Sequence, residues 1–449
     1  MKEFLRHHSQ TIIILLIWTI AGVIAKPIAL FLVPLMLVLL KLRQRYKEIF
    51  FGLIYLCILS DNRISAFFFA KDVKELYFVM MGAFLVFDRK LFAPFNKFVY
   101  PFIGFFIIAL LCSFFYPDDA TVSIQKLFSY FLLYLVGPNY IAMLYKNDPR
   151  NFINFFVYFI ISLLTISLVL YIPYGEILSI GGRYSGVLGN PNALGLFSTI
   201  FLCALFVIID LEPQLFSANQ KRFFLIVILL NIILCRSRTS LISVSMFLIF
   251  TATFKRSSMF GFITVILFFI ANTYIIDIAE VIAVNFGLED YFRLKDIEKG
   301  SGRLIAWAFG WQVIQEQSFF LGKGFNFTSY NFDLNLERLA LLGHQGNAHN
   351  SYITFWIDTG LIGLLLFMYG FVNSFLRANK FTKLALPAMF TFGFSMFFES
   401  WFCAALNPYI IQVIFIIVLA QLPRIADIEK EKELESETEN EQEQNLALA

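Results

Sequence analysis

Apolar runs follow one another from Thr11 to Ala420 with only short polar breaks and one long one, and this constrains the fold more than any other feature. Inside lipid no water bonds the peptide groups, so a spanning backbone must be helical or a closed barrel. No alternating barrel pattern is present, which leaves helices. Composition agrees. Hydrophobic residues make up 59% of the chain and charged residues 15%, against about one half and about one quarter in soluble proteins. The sequence predicts an all-α polytopic membrane protein. The net charge of +3 is small and points to no nucleic-acid partner.

The first run, "TIIILLIWTIAGVIA", closes on small residues as a signal peptide does. A second run, "PIALFLVPLMLVLL", follows at once and the pattern continues, so both read as membrane helices. The five cysteines sit in or at the edge of apolar runs without metal-ligand spacing, as small core residues would. About fourteen helices are expected, centred near 18, 34, 55, 82, 108, 136, 162, 201, 228, 247, 267, 363, 391 and 414, or twelve to thirteen if the shortest do not cross. Lys and Arg recur in alternate connections: "KLRQRYK", "DRK" with Lys97, Lys146 with Arg150, the pairs at 221–222 and 255–256, and Arg377 with Lys380 and Lys383. The positive-inside rule puts these six, and both termini, in the cytoplasm.

Two of the remaining connections are long: 171–192 and 277–349. The second is the one large outward-facing loop, partly helical, holding Trp307 and Trp311. Residues 1–422 form the transmembrane domain. Residues 423–449, rich in Glu, read as a disordered acidic cytoplasmic tail.

Arginines gather on the outward side. Arg293 and Arg338 lie within the long loop, where charge is unremarkable. Arg183 lies in "GGRYSGVLGNPN", Arg236 and Arg238 in the hinge "CRSRTS", and Arg303 in "SGRLIAWAFGW"; His349 is on the same side. An arginine at membrane depth costs roughly 2.5–3.5 kcal/mol on insertion scales unless it is satisfied. The tight hinge therefore predicts that Arg236 and Arg238 face a polar cavity; the alternative is that they cap a helix and snorkel to headgroups. Arginine's planar fork suits phosphate oxygens, so the cluster points to a lipid-linked phosphate or diphosphate. His349 precedes Asn350 and Ser351, good helix caps themselves, so the cap does not need the histidine. An imidazole can take a proton from a hydroxyl at neutral pH.

Four stretches, "GRYSGVLGNPNALGLF", "SRTSL", "SGRLIAWAFGWQVIQEQSFFLGKGF" and "AHNSYITFWIDTGLIGLLLF", resemble in order and spacing the successive motifs of the O-antigen ligase and polymerase superfamily. The resemblance is specific from about 180 to 370; the first 150 residues match only as hydrophobic architecture. It implies a multi-helix membrane glycosyltransferase fold of the bacterial inner membrane. It further implies transfer of a glycan from undecaprenyl diphosphate to an acceptor hydroxyl at the periplasmic face, with no cofactor and no metal. Arg183, Arg238 and Arg303 stand at the family's arginine positions, implying a hold on the donor diphosphate. His349 stands at the motif histidine, implying activation of the acceptor hydroxyl. Arg236 is additional. Trp307, one turn after Arg303, stacks on a sugar or packs the loop; Asn350 and Tyr352 are accessory candidates. His344 lacks the motif position and reads as a loop residue.

The motifs serve several acceptors. A ligase transfers finished polysaccharide to lipid A-core, whereas a polymerase transfers the growing chain to a lipid-linked repeat. A protein O-glycosylation enzyme carries a further soluble C-terminal portion, unlike the acidic tail here. The complete, orderly motifs favour the ligase. An anion or small-molecule transporter is the non-enzyme alternative, against which no inverted repeat or midplane charge pair is seen. Asp118 and Asp119 in "PDDA" could hold a divalent ion, but solvated acidic loops are commoner.

The threading is tested by reporter fusions. A reporter at Lys299 is expected outside the cytoplasm and one at Glu433 inside; both on one side would overturn it.

Overall fold

A computed structural model describes residues 9–61, 64–115, 120–286, 302–344, 346–431 and 433. The chain is an all-α multi-pass membrane protein. Its helices are α1 (Ser9–Ile24), α2 (Lys26–Leu42), α3 (Tyr46–Asp61), α4 (Phe69–Phe87), α5 (Ile103–Phe115), α6 (Ala120–Asn147), α7 (Pro149–Tyr174), α8 (Pro191–Leu211), α9 (Ala218–Leu234), α10 (Arg238–Arg256) and α11 (Ser258–Phe286). After these come three short helices, α12 (Arg303–Val313), α13 (Phe327–Leu334) and α14 (Leu336–Leu341), then α15 (Ser351–Ala378), α16 (Ala385–Met396), α17 (Pro408–Ala420) and α18 (Ile425–Glu431).

Each of the fourteen expected centres falls inside one of these helices. Length and apolar character alone qualify fewer as spans: five among the described residues, or six if α17 and α18, bent by 57°, are one. The difference has physical causes. α16 has only 12 residues, and α4 carries Lys71, Asp72, Lys74 and Glu75 in its first two turns. Two boundaries also differ from expectation. α11 runs on to Phe286, past the expected loop start at 277. The segment read as a disordered tail begins as α18, with Ile425 and Ile428 buried; residues 434–449 lie outside the described residues.

Several helix starts are written locally. Asp148-Pro149, Asn190-Pro191 and Asn407-Pro408 each place a capping side chain before a proline in the first turn, and each cap accepts a backbone N–H. Packing inside lipid gains nothing from excluding water, so close contact and internal hydrogen bonds decide it. Phenylalanine rings supply the contact: Phe156 of α7 stacks on Phe415 of α17 at 3.7 Å. Tyrosines supply the bonds, as Tyr77 donates to the Ile49 carbonyl and Tyr130 to that of Phe402. α8 lies at the centre, while Phe31 and Phe260 face outward, where lipid is their solvent.

Polar contacts fall at two ends of the bundle. Lys41 and Tyr46 meet Asp88, Lys255 and Thr382 meet Asp210, and Arg150 meets Glu429, all from the basic connections and the C-terminal segment. Lys26 pairs with Asp72, Lys126 with Glu75, and Tyr409 with Asp61, all from the other connections. Residues in contact must share a depth, so the alternation in the sequence corresponds to two separate polar faces.

α15 is broken at Gly360, whose φ of 73° and ψ of 177° are open essentially to glycine alone. The break frees peptide groups, and the 319–324 segment takes them up. Leu361 N–H donates to Phe319 O, while Lys323 and Gly324 N–H donate to the carbonyls of Ile357 and Asp358. The buried Asp358 carboxylate then accepts the N–H groups of Asn326 and Thr328 and the Thr328 hydroxyl. The approach is so close that a Cβ on Gly360 would stand 2.2 Å from Phe320 O. Gly360→Ala is expected to cost at least about 1–3 kcal/mol from backbone strain alone. In detergent this reads as a lower melting temperature, and an unchanged one would refute the clamp.

Candidate active site

Four separated segments meet at one polar face. Arg183 begins the second strand of a two-residue hairpin, Ser179–Ile180 with Arg183–Tyr184, turned by Gly181 and Gly182 at φ 58° and 70°. Tyr184 anchors the hairpin, donating to Ser167 Oγ beneath it. Arg303 opens α12 after Gly302, where a Cβ would press on Gly343 O at 3.1 Å and His344 Nδ1 at 3.2 Å. That closeness sets Arg303 beside the turn that ends at His349. The fourth segment is 397–400, between α16 and α17.

Glu399 joins them. Its Oε1 accepts from Arg303 Nη2 at 2.8 Å and Asn192 Nδ2 at 3.1 Å. Its Oε2 accepts from His349 Nδ1 at 3.2 Å. Asn192 in turn accepts from Arg183 Nη2 at 2.9 Å, and Arg183 Nε donates to Cys235 O at 3.1 Å. Arg183, Arg303 and His349 therefore belong to one network. Glu399 is largely enclosed, its side chain 20% exposed. Burial pushes its carboxyl up, but the His349 hydrogen bond and the Arg303 charge outweigh this and hold it below the usual range.

His349 has φ 45°, a left-handed conformation that histidine visits more readily than most side chains. Asn347 Oδ1 takes its backbone N–H at 2.9 Å. Asn350 caps α15, accepting from Tyr352 N and Ile353 N, so the histidine is not the cap. The turn is tied to 399–400 twice more: Asn350 N–H donates to Ser400 Oγ and Ser351 Oγ to Glu399 O. An ionised carboxylate only accepts, so His349 donates to it from Nδ1, which turns Nε2 away from the carboxylate.

The other sequence candidates are placed differently. Arg238 is half-buried at the first turn of α10, whose Ser237, Thr239 and Ser240 line a small gap with Asn192 and Glu399. Arg236 has φ 48° and is exposed, so the hinge does not bury it as expected. Trp307 packs against Phe398 at 6.2 Å, a ring that Arg303 also overlies at 5.8 Å. Tyr352 donates to Gly393 O and holds α15 against α16. His344 is a loop residue, as expected, and is 4% exposed; it bonds the Asn347 carbonyl through Nε2 and meets His349 edge to face at 5.9 Å. Burial lowers its pKa, which favours the neutral ring. Asp118 and Asp119 lie outside the described residues, and among the described residues no group of three His, Cys, Asp or Glu could hold a metal.

Sequence reasoning missed Glu399 and the bridging role of Asn192. A signal existed for the first: Glu399 is the one charged residue between Lys383 and Arg424. An ionisable group in so long an apolar stretch marks a functional site by default.

Glu399→Gln should cost about 1–3 kcal/mol by leaving Arg303 uncompensated. Because the folded carboxyl titrates below its ordinary value of 4.5, the charged form stabilises the fold fully above that pH. The melting-temperature gap between parent and variant is therefore expected to hold at neutral pH, to narrow below 4.5, and to vanish below the lowered value. A gap independent of pH would contradict this.

Residues 223–368 match the model of a family described as O-antigen ligase. No curated protein matches the chain. The matched segment contains Arg238, Arg303 and His349 and omits Arg183, Asn192 and Glu399, which complete the network from either side of it. Residues 223–368 of the chain are thus similar to the O-antigen ligase family.

Proposed function

We propose that the protein is a glycosyltransferase of the bacterial inner membrane. It moves a glycan from an undecaprenyl-diphosphate-linked donor to an acceptor hydroxyl at the periplasmic face, and the acceptor of choice is lipid A-core, as in a ligase. Both termini are then cytoplasmic, and residues 1–422 form the catalytic domain. The observation that carries the reading is the shared Glu399 carboxylate, with an arginine on one oxygen and a histidine on the other.

The chemistry follows from the pairing. The acceptor oxygen bonds to the anomeric carbon as the bond from that carbon to the diphosphate oxygen breaks. The acceptor's proton passes to His349 Nε2, and Glu399 stabilises the imidazolium so formed. The departing diphosphate keeps the bonding electrons, and Arg183, Arg238 and Arg303 answer its charge. Arg303 meets Glu399 through a single nitrogen, Nη2, so its fork can turn toward phosphate oxygens. The diphosphate sits at headgroup level and its lipid tail in the bilayer, so the base must stand at membrane-surface height on a fixed helix start.

Purified protein with a lipid-linked donor tests this. His349→Ala is expected to lose transfer by about 10²–10⁴-fold while still binding donor. Arg303→Lys should lose roughly 10- to 100-fold, the worth of one hydrogen bond to a charged group. Chelator should leave the rate unchanged. Parental rates in both variants would remove the mechanism. In cells, deletion should abolish the polymer ladder and leave lipid-linked polymer behind; a core bearing one repeat would make it a polymerase.

A further inference from the structure

A second cavity, of about 250 Å³, lies on the same polar face as the network. It borders the His349 turn without containing the arginines. One wall is Asn347, which holds the His349 N–H, and Ser400, next to Glu399. α4 and α6 contribute Lys74, Glu75, Lys126 and Ser129 to the lining, and Phe325 and Ser329 complete it.

Its charges differ in kind from those of the arginine network. Lys74 and Lys126 stand with Glu75 and Asp358, two of each sign, and Lys126 lies 3.3 Å from Glu75. A balanced lining does not select a diphosphate. It offers donors and acceptors side by side, which suits hydroxyl groups, and Phe325 adds an apolar face. The volume is below the roughly 300–1,000 Å³ of pockets that bury drug-sized ligands, so it takes a sugar residue rather than a chain. Lys126 and Glu75 are 45% and 57% exposed, which leaves the rim open to water.

We propose that this cavity binds the acceptor: an uncharged, hydroxyl-bearing sugar at the end of a lipid-anchored glycan. The assignment rests on the glycosyl-transfer reading above. It places the acceptor hydroxyl on the Asn347 side of His349 and the donor on the arginine side. It also makes Lys74, Glu75, Lys126 and Ser129, outside the segment that matches the family, determinants of acceptor choice.

The test uses full-length purified protein and two acceptors: polymer-free lipopolysaccharide from a strain deleted for this gene, and a single repeat linked to undecaprenyl diphosphate. Ser329 is exposed at the rim, so Ser329→Trp fills the cavity without disturbing the core. It is expected to raise the acceptor KM at least tenfold while the donor KM and the rate at saturating acceptor stay within about twofold, the signature of lost uniform binding. In parallel, Ser329→Cys is labelled with a maleimide. One of the two acceptors should protect it, naming the source of the sugar, and donor alone should not. Transfer by the parent with neither protection nor a KM change would overturn the acceptor site and leave the function standing. If the parent transfers to neither acceptor, the function fails, and absent protection would then overturn the site as well.

Discussion

One carboxylate organises this face of the protein. Arg303, Asn192 and His349 come from segments more than a hundred residues apart at the extremes, and each spends a hydrogen bond on Glu399. Two of these groups are cations or become so. Brought together without an anion, they would repel one another in a medium too poor in water to screen them. Glu399 makes the gathering stable, and it holds the imidazole by its Nδ1. The interaction that holds the face together therefore also orients its histidine.

The carboxylate can do this because its own backbone is held. The turn at 399–400 is bonded to the start of α15 through Asn350 N and Ser351 Oγ. Further along the same helix, the break at Gly360 clamps the 319–328 segment by way of Asp358. α15 thus receives the turn at one end and the connection after α12 at its middle. Irregular backbone at this depth is tolerated because its peptide groups bond to one another rather than facing lipid. The broken helix ties the segment that carries Arg303 to the one that carries His349.

Much of this was legible in the residues. Apolar runs placed the helices, because period and length depend only on local sequence. Alternating Lys and Arg sorted the connections into two sets, and the contacts keep those sets apart. Arg183, Arg303 and His349 stood out as polar groups beside small residues at the ends of apolar runs. The exposure of Arg236 and the burial of the loop residue His344 were not legible, because exposure depends on what packs against a residue, and nothing near "CRSRTS" or "GHQGN" states its neighbours. Helix α18 was hidden by acidic composition, since Ile425 and Ile428 become ordering residues only once a groove receives them.

The sequence by itself determined the class of protein, the places of its helices, the sidedness pattern of its connections and the arginines and histidine worth attention. These follow from hydrophobicity, charge and local capping, which act over one or two helical turns. Only the tertiary structure decided that Glu399 and Asn192 link them, that α15 breaks to receive a distant segment, and that α4 and α6 wall a cavity beside His349. Those are contacts between residues up to about two hundred positions apart and beyond. Nothing in a local pattern encodes which apolar helix lies beside which, so a hydrogen bond across that gap exists only once the bundle has packed.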